Sequence, residues 1–155
     1  MLVGAGANVN ASTNQEWTPL HLSAYWGRVE VTQMLIGAGA DIHRTNNLGE
    51  TPLHRSTMFG YMEVSQMLVG AGANLNAPDN QGRTPLHHSA EGNRVELSQI
   101  LVGAGADVHA TDLKGNTALD LAEHALATFL QQESDRWSLT KSAAQGRAAN
   151  GDADQ

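Results

Sequence analysis

Thr51-Pro52-Leu53-His54 is a stretch that the chain uses more than once. It returns as Thr18-Pro19-Leu20-His21, as Thr84-Pro85-Leu86-His87, and in eroded form as Thr117-Ala118-Leu119-Asp120. The spacing is 33 residues each time, without slippage. A second block keeps the same beat: Gly4-Ala5-Gly6-Ala7, Gly37-Ala38-Gly39-Ala40, Gly70-Ala71-Gly72-Ala73 and Gly103-Ala104-Gly105-Ala106. A fixed period in this range marks a stack of repeated units and outranks any local reading of helix or strand.

Each unit predicts two short helices and a turn. Thr18 is placed to cap a helix, its hydroxyl accepting an otherwise orphan backbone N–H. Pro19 falls at the first helical position, where its missing N–H costs nothing. This helix runs to about Trp26 and stops at Gly27, which enters the left-handed region without penalty. A second helix, about Val29 to Ile36, carries Val31, Met34 and Leu35 at helical spacing, and Gly37 and Gly39 end it. Asp41 to Glu50 is polar, and Asn46-Asn47-Leu48-Gly49 suits a hairpin-like tip. The third unit turns on Gly92-Asn93, Asn being the next best left-handed residue.

A 33-residue unit reading G-x-T-P-L-H, then a turn, an apolar helix and G-A-(D/N)-hydrophobic-(N/H), resembles the ankyrin repeat, over roughly residues 1–130. The resemblance implies an all-α solenoid of helix-turn-helix units joined by β-hairpin-like loops, and a non-enzymatic role in binding a protein. The expected division is a partial repeat at 1–13, repeats at 14–46, 47–79 and 80–112, a degenerate capping repeat at 113–132, and a disordered tail at 133–155. Met1 falls where Met34 and Met67 sit. It reads as an internal methionine of a longer protein, a true start with a frayed first turn being the alternative.

Some positions depart from the pattern. Arg55 and His88 stand where Leu22 sits in the first unit, predicting wetter inner helices there. Thr32, Ser65 and Ser98 replace a usual valine, which predicts modest stability. In the fourth unit no glycine follows Thr117-Ala118-Leu119-Asp120-Leu121-Ala122. Leu126, Phe129 and Leu130 realign with Val31, Met34 and Leu35 if four residues are deleted, which would remove the loop between the helices. Gln131-Gln132-Glu133 replaces the glycine block, as suits a cap with one polar face. From about Ser134 periodicity is lost and composition suits disorder. Trp137 is expected to fold back on the cap.

Composition excludes several classes. The formal charge of −7 argues against nucleic acid, which asks for a basic stripe. There are no cysteines, so neither disulfides nor thiolate metal sites arise. No apolar run approaches the roughly 18 residues of a membrane span, and the first residues lack the regions of a signal peptide; an intracellular location is expected. Gly37-x-Gly39 lacks the third glycine and follows a helix, so the dinucleotide-loop reading fails its context test. Seven histidines raise the question of metal. His21, His54 and His87 sit on successive units, too far apart to share one zinc at bonds of about 2 Å, while His87 and His88 are helix neighbours that point apart. The resemblance implies that the box histidines bond neighbouring backbone, and that His43 and His109 share a structural turn slot with Asn10 and Asn76. No nucleophile–base–orienter set is visible. No catalytic residue, cofactor or metal is expected.

Asn10 and Asn76 each follow a leucine, Leu2 and Leu68, by eight residues. This resembles asparagine hydroxylation sites of ankyrin repeats, although the turn alone accounts for both asparagines.

In the family a partner is gripped by the hairpin tips and the exposed side of the first helices, the concave face. Carried over, those positions hold Trp17, Tyr25, Trp26, Leu48, Glu50, Met58, Phe59, Arg83 and Glu91. Four of the seven aromatics fall among them, all in the first two units. Exposed aromatics mark interaction sites, and Trp and Tyr are enriched where truncation costs about 2 kcal/mol or more. The expected anchors are Trp17, Tyr25, Trp26, Met58 and Phe59, with Arg83 and Glu91 orienting. The expected function is a protein–protein interaction module, scaffold or adaptor. The alternative is the targeting domain of a larger enzyme, channel or ubiquitin-ligase subunit. A monomer is expected, self-association through the aromatic patch being the other outcome.

Overall fold

The computed structural model describes residues 8–151. Among them are eight helices and no strand: α1 (Pro19–Tyr25), α2 (Val29–Gly37), α3 (Pro52–Met58), α4 (Met62–Gly70), α5 (Pro85–Glu91), α6 (Val95–Gly103), α7 (Ala118–Leu121) and α8 (His124–Gly151). The odd-numbered helices pack side by side in one row and the even-numbered ones in a second. Met1–Ala7, and with them most of the expected partial repeat, lie outside the described residues, as do residues 152–155 of the expected tail.

The Thr-Pro-Leu-His box explains both the start of each first helix and the join between units. Thr18, Thr51 and Thr84 accept the N–H of the histidine three residues on, and each histidine Nδ1 accepts the threonine N–H in return. This reciprocal cap satisfies two orphan donors at once. Because Nδ1 accepts, the proton sits on Nε2. That nitrogen donates across to the next unit, from His21 to the Glu50 carbonyl at 2.8 Å, His54 to Arg83 at 3.0 Å and His87 to Asn116 at 2.8 Å. One side chain thus starts a helix and fastens a tip. The tips also stack through backbone: Asn47 donates to Gln15, Asn80 to Leu48 and Leu113 to Gln81. Between the helices Gly27 and Asn93 take positive φ, 66° and 53°, as their residue types allow.

Between the two rows lies a thin aliphatic core. Leu20, Leu53 and Leu86 from the first helices meet Leu35, Leu68 and Leu101 from the second, and Leu126 and Leu130 of α8 close the end. Each such burial contributes about 1.5–3 kcal/mol.

The departures from pattern resolve differently from expectation. Arg55 and His88 do not wet the inner helices. Both are buried and paired with acids, Arg55 with Glu50 and His88 with Asp79 at 2.9 Å. The buried Arg55 guanidinium persists only with such a partner. Thr32, Ser65 and Ser98 are buried too, and each hydroxyl meets a serine of the first helix: Ser23 at 2.9 Å, Ser56 at 2.8 Å and Ser89 at 2.8 Å. The lost valine contact is replaced by a bond between the helices.

The fourth unit keeps its loop. The four-residue shortfall falls mostly on α7, which has four residues where α1, α3 and α5 have seven. With no glycine to turn through the left-handed region, the chain leaves α7 through extended Ala122, ψ 146°. Beyond Gln132 the structure also differs from the expected tail, for α8 continues unbroken to Gly151. Apolar periodicity reports burial, whereas helix continuation needs only residues that tolerate it. Ala, Lys, Arg, Gln and Leu without proline extend a turn already nucleated by the packed Leu126 and Leu130. Trp137 lies against His109, ring centroids 4.6 Å apart, on the capped end of the stack.

Candidate protein-binding surface

The box and the inter-helix turn position the aromatic residues. Trp17 directly precedes the cap Thr18; Tyr25 ends α1 and Trp26 is its C-cap, and one period later Phe59 is the C-cap of α3. They form one edge-to-face chain. Trp17 meets Tyr25 at 5.6 Å between centroids, and Tyr25 meets both Trp26 and Phe59 at 4.9 Å. Edge-to-face contact of this kind contributes about 0.5–1.5 kcal/mol per pair beyond area burial, so the rings hold each other in place while keeping a wet side. Trp26 is 60% exposed and Phe59 36%; Trp17 and Tyr25 are half-buried.

Beside these rings runs an open groove of about 680 Å³, lined by Thr13, Asn14, Gln15, Trp17, Leu22, Tyr25, Trp26 and Arg55. The reading of sequence alone missed Arg55 here. Its guanidinium lies 4.6 Å from the Trp17 ring centroid and 5.7 Å from that of Tyr25, while Glu50 neutralises it. The detectable signal is an arginine in a core column five residues after an acid. With Arg55 over those ring faces, the groove is preorganised for apolar and hydrogen-bonding contacts rather than for a second cation.

The other expected residues are not brought into this patch. Glu50 is buried, bound to Arg55 and to the Asn46 side-chain amide, and is structural rather than exposed. Leu48 and Met58 line a separate pocket of about 240 Å³ with Asp79 and His88. Arg83 pairs with Glu91 at 2.6 Å and reaches Asp112 at 3.8 Å, so these two orienting residues are spent on one another in this state.

His88 also turns back onto the preceding unit, its ring 5.5 Å from that of His54. With Asp79 they form the one three-residue cluster among the described residues that is close enough to suggest a metal. Hydrogen bonding rules against it at His54, whose Nδ1 accepts from Thr51 and whose Nε2–H is given to the Arg83 carbonyl, leaving no lone pair to donate. Burial, helped by the neighbouring His88, pushes His54 down to about 4. At Asp79 burial works to raise the carboxyl, but hydrogen bonds from His88 and from the Arg83 and Gln81 backbone outweigh it and hold it below the usual range. The cluster is a buried relay that ties the second unit to the third.

The asparagine slot is structural as well. Asn10 and Asn76 accept the backbone N–H of Asp41 and Asp107 in the following unit, each at 2.8 Å; Leu2 lies outside the described residues. No helix among the described residues is long and apolar enough to cross a membrane.

Comparison with known families gives two matches. The family model described as ankyrin repeats (3 copies) matches residues 33–112, and that described as ankyrin repeats (many copies) matches residues 1–36. A search of curated proteins finds no match.

Proposed function

The chain belongs to the ankyrin-repeat family, whose repeats are in general protein–protein interaction modules, and on that premise we propose that it grips a protein partner through the tips and first helices of its first two units. Trp17, Tyr25, Trp26 and Phe59 are the anchors, and the partner lays apolar side chains along the groove they border. The observation that carries this reading is the exposure of Trp26 and Phe59 in a chain otherwise poor in aromatics. Rings that served only as core would be covered by their own neighbours. Truncating such anchors costs about 2 kcal/mol or more each.

The test is affinity capture with mass spectrometry, comparing wild type with Trp17→Ala/Trp26→Ala/Phe59→Ala at folding matched by circular dichroism. Proteins held by wild type and released by the variant support the patch. Identical retention with folding intact moves the site to the polar tips of the later units.

A further inference from the structure

The asparagine slot of the turns lacks its usual partner where the stack meets α8. Asn10 and Asn76 each accept the backbone N–H that lies 31 residues on, from Asp41 and Asp107. His109 holds that slot in the last turn. Its counterpart one unit further is Thr140, inside α8, where backbone amides are given to the helix itself. His109 Nε2 is accordingly buried without a hydrogen-bond partner, which leaves its desolvation uncompensated. Beside the ring lies a cavity of about 420 Å³, lined among others by Val102, Ala106, Val108, His109, Glu133 and Trp137. Small-molecule sites occupy roughly 300–1,000 Å³, and this cavity falls within that range. Trp137 packs on His109 with ring centroids 4.6 Å apart, yet the indole is half exposed.

We propose that this cavity binds a small organic cation, an ammonium carried on an apolar body. Val102, Ala106 and Val108 form an apolar wall for that body. Among the described residues the lining holds two carboxylates, Asp107 and Glu133, and no lysine or arginine, so its charge is complementary to a cation. Glu133 is tied to Arg136 at 3.3 Å, but the arginine side chain is 75% exposed, and solvent weakens such a pair. The indole already carries a cation of the chain's own. Lys141 Nζ lies 4.8 Å from the Trp137 ring centroid, within the reach of a cation–π contact. Lys141 is thus a resident stand-in that an incoming ammonium displaces. As the Trp137 ring shifts with the ligand, His109 Nε2 accepts its N–H, the ring proton sitting on Nδ1. The ligand then supplies the bond that Asn10 and Asn76 obtain from the following unit.

The cavity shares no residue with the aromatic surface of the first two units, so the two readings stand or fall separately. The probe is benzylamine, with benzyl alcohol as its uncharged counterpart, titrated into the purified full chain and read by two-dimensional amide NMR. Benzylamine should saturably shift the amides of Gly105 to His109 and the Trp137 indole N–H, identified by its absence in Trp137→Phe. Benzyl alcohol should bind at least about threefold more weakly. Glu133→Gln should weaken the amine by at least about threefold, and Lys141→Gln should tighten it about twofold. Glutamine is a good helix former, and circular dichroism checks that α8 is kept. Should Glu133→Gln loosen α8, His109→Asn serves instead, since it restores the residue of Asn10 and Asn76, and it should also weaken binding. The proposal is overturned by no saturable shift, by equal binding of benzyl alcohol, or by Glu133→Gln and His109→Asn both without effect. N-acetyl-arginine methylamide binding more tightly than benzylamine overturns it too, in favour of a basic side chain of a partner protein.

Discussion

At the scale of single residues, the box histidine is where helix start and unit join coincide. His54 is enclosed by Thr51 on one nitrogen and the Arg83 carbonyl on the other, and burial holds it at about 4. An unfolded histidine titrates near 6.5. Below that value the unfolded chain takes up a proton that the folded chain refuses, so stability is level above about 6.5 and falls as the pH drops towards about 4. His21, also lowered by burial, acts in the same direction. The expected loss from His54 is about 2 kcal/mol on going from pH 7.5 to 5, read from urea midpoints. In His54→Gln, which keeps one acceptor and one donor, stability should start lower and the slope over that interval should flatten. A slope unchanged in that variant would place the pH sensitivity elsewhere.

At the scale of elements, α3 and α5 carry Arg55 and His88 in the column that holds Leu22 in α1, and each is matched by an acid from the neighbouring tip. Arg55 of α3 has Glu50 in the tip before it, and His88 of α5 has Asp79. Removing one partner of a buried pair costs about 3–5 kcal/mol, because the other is left charged and dry. Arg55→Leu, although it restores the residue of the first unit, should therefore destabilise by that order in chemical denaturation. Arg55→Leu/Glu50→Gln should recover most of it. If the single variant is neutral, Glu50 has found solvent and the pair is ornamental.

At the scale of the molecule, contacts run between neighbouring units and between the two helices of a unit, so stability passes along the stack by nearest neighbours. Leu130 of α8 is buried against the last full unit. Leu130→Ala should cost about 2–5 kcal/mol locally. Native-state hydrogen exchange should then show protection falling in α5 and α6 well before α1 and α2. Uniform loss across all units would mean that the stack behaves as one cooperative body.

By itself the sequence determined the repeat, its period, the two helices of each unit, their caps and turns, and the concentration of aromatic residues in the first two units. These are properties of residue type and spacing: Thr and Pro at a helix start, Gly or Asn at a left-handed turn, leucines at helical intervals. The tertiary structure alone decided how the polar substitutions are satisfied. Ser56 and Ser65, or His54 and His88, meet only once helices lie beside one another, because a hydrogen bond depends on distance in space and not on period in the chain. The same holds for the site. Trp17, Tyr25, Trp26 and Phe59 were legible as a group, but the contact of Trp17 and Tyr25 with Arg55 and the withdrawal of Glu50 into an ion pair follow from stacking, which sets what each unit covers and what it leaves to water.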